Sequence, residues 1–352
     1  MQSDNKFTIS QVFYQIVSDW FGKDAQTDYT YSYVWMANQF GHFGLGFILS
    51  IFIFWILILL NVPANMFIYV LAGQGVFWIF KEVRDYFVII KETYTCFVPD
   101  KLFIIKDLST DVFFILYGSV VAYIGLGISG LYGLLSFAAG LIPTLFLFVY
   151  WIKRKMYFQI TAIPYYYRLS NFFGTLPKEQ VDGINRFVKK RKIDLPTDWQ
   201  HILIFGPYNS GKTSLAIGIG TDFAVNLGYS RYMSFNKFLD LLNLETEKVY
   251  EEGTKIVPWR KTELLIVDNV SVGIDKQTAF NPELLRDAIL NSKYKGQNIT
   301  TLQNQKTIWV IGNPTMANEW NLLFSHLQLN KSGTIATIQL SDQAPVVKVF
   351  KL

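Results

Sequence analysis

Residues Gly206 to Ser214 read GPYNSGKTS. Two glycines with four residues between them, followed at once by Lys212 and Thr213, form a pattern suited to holding phosphate. The glycines let the backbone curl until successive N–H groups face an anion, and a helix starting directly behind adds the positive end of its dipole. In this reading Gly206, Pro207, Tyr208, Asn209, Ser210, Gly211, Lys212, Thr213 and Ser214 cradle a nucleotide. The Lys212 ammonium reaches the β- and γ-phosphates and the Thr213 hydroxyl is a magnesium ligand, so the expected cofactors are ATP and Mg2+.

About fifty-five residues further on, Leu264 to Asp268 read LLIVD. An apolar strand ending in aspartate is the Walker B element, whose carboxylate holds the water shell of the magnesium ion. Asp268 is therefore the second expected metal residue. A third apolar run, TIWVI at Thr307 to Ile311, ends in Gly312, Asn313, Pro314 and Thr315. A polar side chain at that tip can hydrogen-bond an attacking water or the γ-phosphate, and Asn313 is the candidate; it serves equally well as a turn residue beside Pro314.

These residues need a particular scaffold. HILIF, His201 to Phe205, reads as the strand that delivers the glycine loop, and SLAIGIGTDFAVNL has helical spacing behind it. A second strand is expected at Ser230 to Ser234 before a helix beginning at Asn236, and TIATIQL and VVKVFKL read as the last strands. Strand, loop and helix in alternation predict an α/β domain over 200–352.

The rest of the chain is built for a different solvent. The 352 residues are 51% hydrophobic and 17% aromatic, and most of the charge lies outside the apolar blocks of the first half. Gly44 to Leu60 and Met66 to Phe80 are free of charge and separated by the polar break NVPAN, which predicts a hairpin of two membrane spans. Apolar sequence resumes at Val112 and runs to Trp151, too far for one crossing. A turn in the glycine-rich stretch Gly125 to Gly133 gives spans near 112–129 and 132–151, and Gly125, Ser129 and Gly133 have small-residue spacing suited to close helix packing. Trp78, Tyr150 and Trp151 near the run ends suit the membrane interface. The expected domains are an N-terminal cytoplasmic or interfacial segment over 1–40, a membrane bundle over 41–155, a juxtamembrane connector over 156–199 and the α/β domain.

Lysine and arginine cluster between the second and third runs and at Lys153, Arg154 and Lys155, whereas NVPAN and the glycine turn have none. Positive segments stay in the cytoplasm. Both termini, the central loop and the α/β domain are therefore expected on the cytoplasmic side of a multi-pass protein of the bacterial inner membrane or its equivalent. The apolar spacing of Phe7 to Phe21 suits either a helix on the membrane surface or a cap on the bundle. A net charge of +5 is accounted for by basic residues beside the spans, and the cluster Arg186, Lys189, Lys190, Arg191 and Lys192 suits lipid headgroups or nucleic-acid phosphates. One cysteine, Cys96, rules out an intrachain disulfide, and His42, His201 and His326 are scattered without metal-ligand spacing.

The run from His201 to Leu242, with LLIVD and TIWVIGNPT, resembles the AAA+ ATPases of the helicase-loader and insertion-sequence helper branch. The resemblance covers Gln200 to the C-terminus and none of the membrane half. It implies a P-loop NTPase fold, an AAA+-like five-stranded parallel sheet without a lid, preceded here by an all-α transmembrane bundle. It also implies homo-oligomers, Asp268 as the Walker B acid and Asn313 as sensor 1. Two positions depart from the family. Asn269 stands where members carry the glutamate that polarises the attacking water, and Leu322 to Gly333 offers Lys331 but no arginine. Lys212, Asp268, Asn269 and Asn313 are thus the catalytic candidates, with slow turnover expected. Three functions stay open: a membrane-anchored ATPase acting on a protein client, an ATP-dependent switch with little turnover, and a viral-type replication or packaging ATPase acting on nucleic acid beside the lipid bilayer.

Overall fold

A computed structural model describes residues 7–20, 31–91, 96–97, 101–126, 130–189, 198–247, 250–251, 254–269, 282–312, 317–329 and 334–341. The chain divides into two compact units, Met1–Thr93 with Val98–Lys153, and Tyr94–Phe97 with Arg154–Leu352.

The first unit is helical: α1 (Ile9–Trp20), α2 (Tyr31–Leu59), α3 (Phe67–Lys91), α4 (Lys101–Gly125) and α5 (Gly130–Gln159), whose last residues belong to the second unit. Among the described residues, four segments are long and apolar enough to cross a membrane: Asn38–Leu59, Ala64–Ile90, Ile104–Gly125 and Phe137–Gln159. The helices containing the last three outrun their charge-free stretches, whereas α2 carries no Asp, Glu, Lys or Arg. A helix satisfies its own backbone groups and has no reason to stop where charge begins. The segment 81–111, expected as a polar loop, is accordingly helix to Lys91 and again from Lys101. Lys81 pairs with Asp85 one turn on, at 3.0 Å.

NVPAN does end a helix. Asn61 takes a left-handed φ of 56°, and the Val62 N–H closes on the Leu57 carbonyl at 2.9 Å before Pro63 prevents continuation. The glycine turn also separates two helices, but Gly125 ends α4 while Gly133 lies in α5, so their spacing makes no packing face on one helix. Close approach occurs elsewhere. A Cβ on Gly46 would lie 1.9 Å from the Ile115 carbonyl oxygen, and the Ser119 hydroxyl donates to the Gly46 carbonyl at 3.2 Å. Polar side chains join the helices inside the unit: Gln39 Nε2 donates to Asp111 at 2.8 Å and Ser50 to Gln74 at 2.8 Å. Trp151, expected at the interface, is buried in a cluster with Phe114.

The second unit contains α6 (Lys178–Lys189), β1 (Trp199–Phe205), α7 (Lys212–Val225), β2 (Ser230–Ser234), α8 (Phe235–Leu242), the short antiparallel pair β3 (Tyr250–Glu251) and β4 (Thr254–Lys255), β5 (Leu264–Asp268), α9 (Pro282–Leu290), α10 (Lys295–Asn304), β6 (Lys306–Ile311), α11 (Ala317–His326) and β7 (Thr334–Gln339). Five strands form one parallel sheet in the order β2-β5-β6-β1-β7. VVKVFKL lies outside the described residues. Ser234 caps α8 by accepting from the Lys237 N–H, which starts that helix one residue before the expected Asn236.

Both faces of the sheet are covered, which is why its strands read as continuous apolar runs. Alternation along each strand sends Leu203, Phe205, Leu265, Val267, Trp309 and Ile311 to a core shared with α8, α9 and α11. Ile202, Ile204, Ile266, Ile308 and Val310 meet α6, α7 and the connector on the other face. Phe97 and Cys96, from between α3 and α4, belong to this second core: the Phe97 ring meets Phe172 edge-on and the Cys96 thiol donates to the Gly174 carbonyl at 3.2 Å.

A buried polar chain fastens β1 to β6. His201 and Thr307 are register partners. Trp309 Nε1–H donates to the Thr307 hydroxyl at 2.6 Å, and that hydroxyl lies 2.7 Å from His201 Nδ1. His201 Nε2 lies 2.7 Å from the Leu329 carbonyl. A carbonyl only accepts, so Nε2 carries the proton and Nδ1 accepts from Thr307.

Candidate functional site

Parallel strands place their C-terminal tips along one edge of the sheet, the usual location of ligands in open α/β folds. The tip of β1 delivers Gly206, the tip of β5 ends in Asp268, and β6 between them delivers Gly312. Asn313, Pro314 and Thr315 lie outside the described residues, as do Lys331, Lys190 to Lys192 and Asp275, the nearest acid past LLIVD that could substitute for the missing glutamate.

The loop between β1 and α7 is tight. Gly206 needs its missing side chain, because a Cβ there would sit 2.6 Å from the Ser210 hydroxyl and 2.9 Å from the Leu340 carbonyl. Gly211 has φ 88°, left-handed backbone that favours glycine, and it occupies the N-cap of α7 without offering a side-chain acceptor. The first N–H groups of α7 are consequently left for another acceptor. Asn209 adds a second left-handed residue at φ 61°, and the Ser210 N–H bonds the Pro207 carbonyl at 3.3 Å. Tyr208 is 91% exposed, so its ring extends away from the loop interior. The Ser210 hydroxyl is buried without a hydrogen-bond partner. A buried orphan in a loop otherwise so closely packed marks a place for an acceptor.

Lys212 and Thr213 open α7. The Lys212 ammonium donates back to the Pro207 carbonyl across the loop. Burial lowers its pKa, opposed by the Asp268 carboxylate. The Thr213 hydroxyl reaches Asp268 Oδ1 at 3.3 Å, joining the helix start to the strand tip. Ser214 follows in the same turn and is half-buried. Asp268 is buried, and its two oxygens have separate donors: Oδ1 takes the Asn269 N–H at 2.7 Å besides Thr213, and Oδ2 takes the Tyr232 hydroxyl at 2.6 Å. Asn269 is left-handed at φ 58° with an exposed side chain.

The geometry thus gathers Gly206 to Thr213 and Asp268 into one corner and adds Tyr232, which motif reading does not find. Tyr232 becomes visible once strand register is known: Ser234 pairs with Asp268, and Tyr232 stands two residues earlier on the same face. The connector supports the loop from below. Leu169 packs against Gly218, Arg168 pairs with Asp222 of α7, and the Phe172 ring lies 3.4 Å from the position of a Cβ on Gly211. The Lys212 ammonium, the Thr213 hydroxyl and the Asp268 carboxylate thus meet the start of α7 at one sheet edge, a donor set whose chemistry suits an anion beside a hard cation. No protein-family model matches the chain, and no curated protein matches it.

Proposed function

We propose that the second unit binds Mg-ATP and that the chain is a membrane-anchored, AAA+-like P-loop ATPase that assembles with copies of itself to act on a partner at the membrane. The observation that carries this reading is the meeting of Thr213 and Asp268 at 3.3 Å beside a glycine loop whose Ser210 hydroxyl has no partner. The donor set fits the ligand. Backbone N–H groups of Asn209 and of Gly211 to Thr213 and the Lys212 ammonium would hold the phosphates, and Thr213 and Asp268 would hold the magnesium ion, whose charge offsets that of the β- and γ-phosphates.

Four apolar helices precede this domain, which supports an anchor in the bilayer. Lysine and arginine flanking α3, α4 and α5 favour a cytoplasmic site, where ATP is supplied. A second reading, an ATP-dependent switch with little turnover, is favoured by Asn269: an amide cannot take a proton from water, and this one is exposed beside the strand tip.

Equilibrium ATP binding to the full chain in lipid nanodiscs tests the reading. Lys212→Ala removes a charge-assisted contact and should weaken Mg-ATP binding roughly tenfold to a hundredfold. Unchanged affinity would remove the loop from the binding site.

A further inference from the structure

We propose that Tyr232 is a positioning residue for the magnesium ion of the bound nucleotide, acting through Asp268. This rests on the Mg-ATP reading above and adds to it a residue outside both motifs. The Tyr232 hydroxyl donates to Asp268 Oδ2 at 2.6 Å, while Oδ1 faces Thr213. A carboxylate turns about its terminal torsion with a broad, roughly two-fold preference, so its lone pairs have no fixed direction of their own. The Thr213 hydroxyl and the Asn269 N–H hold Oδ1, and a short bond to Oδ2 adds the restraint on the opposite side that fixes how Oδ1 is presented. It also shares the charge of a buried carboxylate that would otherwise lack a donor on Oδ2.

Tyr232 is itself held from several sides. Its strand pairs with β5 in register, Tyr232 opposite Ile266, and its N–H bonds the Thr161 carbonyl of the connector at 2.8 Å. Its ring packs on the core beneath α7. The hydroxyl is therefore placed by the fold rather than by a mobile side chain, as a supporting residue should be.

The test separates metal from nucleotide. ATP affinity of the full chain in nanodiscs is measured in EDTA and in millimolar Mg2+, and the ratio is the gain due to metal. Tyr232→Phe, which deletes the hydroxyl alone, should reduce that gain about tenfold, the loss expected of a hydrogen bond to a charged group. Its affinity in EDTA should stay within about twofold of wild type, because phosphate contacts are untouched. Tyr232→His, which restores a donor, should recover part of the gain, and Asp268→Asn should lose at least as much as Tyr232→Phe. Tyr232→Met lacks the donor too and carries the same test if the Phe variant does not accumulate. A metal gain within twofold of wild type overturns the proposal, as does an equal loss in EDTA and Mg2+, which would make Tyr232 merely structural. Wild-type protein that binds no ATP, or Lys212→Ala that binds it equally well, would overturn the Mg-ATP reading and this inference with it.

Discussion

Acidification should loosen the strands that deliver the site before it affects the outer helices. His201 is fully buried, and desolvation lowers its pKa from 6.5 to about 4, with the Leu329 carbonyl opposing weakly. The unfolded chain takes up a proton near pH 6.5 that the folded chain refuses until about pH 4. The stability contribution is therefore complete above pH 6.5 and is lost as pH falls through that window. Linkage over these two values gives about 2 kcal/mol lost at pH 5 and about 3 kcal/mol at pH 4. Protonation would also put a second N–H on Nδ1, so the Thr307 hydroxyl would have to accept from both His201 and Trp309 and its own proton would lose the ring nitrogen it now donates to. Hydrogen exchange of the full chain, read on peptides covering Trp199–Phe205 and Lys306–Ile311 and corrected for the intrinsic pH dependence of exchange, measures this. Protection should fall between pH 6.5 and 4.5 in wild type and stay level in His201→Gln, which cannot titrate. Flat protection in wild type, or an equal slope in the Gln variant, would refute the assignment.

Reporter fusions after Lys155 and at the C-terminus should read cytoplasm and one within NVPAN the opposite side; a C-terminal signal from outside would leave the proposed ATP site without substrate. Gly46→Ala should destabilise the membrane unit by about 1–3 kcal/mol through overpacking against Ile115, whereas Gly44→Ala, with no atom within 4 Å of its Cβ, should not; thermal unfolding in nanodiscs distinguishes them, and equal melting would dismiss the α2–α4 crossing. Asn269→Glu should raise ATP turnover roughly a hundredfold if the remaining site is complete, as measured by phosphate release, and Asp275→Asn should leave wild-type turnover unchanged; abolished turnover would make Asp275 the base.

How much of this is legible in sequence depends on the range over which each feature is encoded. GPYNSGKTS and LLIVD each carry their conformation and chemistry within nine residues or fewer, and β2 and β5 have the expected bounds. Tyr232 is invisible until a parallel register sets it diagonal to Asp268, because SRYMS contains nothing but a strand pattern. Phe97 reads as part of a polar loop but is buried beside Phe172, a contact across some seventy-five residues. Helix ends in the first unit are poorly encoded for a related reason: hydropathy reports solvent, whereas helices end at features such as Asn61 and Pro63. Runs defined by absence of charge therefore stop short of Asp111 and Glu82, which are buried polar residues of α4 and α3.

Asn269 brings conformation and chemistry into competition at a single position. Its left-handed backbone, which asparagine tolerates better than other non-glycine residues, turns its N–H onto Asp268 Oδ1 at 2.7 Å. The residue that departs from the water-polarising glutamate would thus contribute to the proposed metal site through its main chain. Glutamate there would supply a base at a conformational cost of about 1–2 kcal/mol, directed against the geometry that fixes Asp268. Asn269→Glu should therefore turn ATP over faster and gain less affinity from Mg2+ than wild type. An increase in both would mean that the 269 backbone does not help to hold the carboxylate, leaving that role to Tyr232 and Thr213.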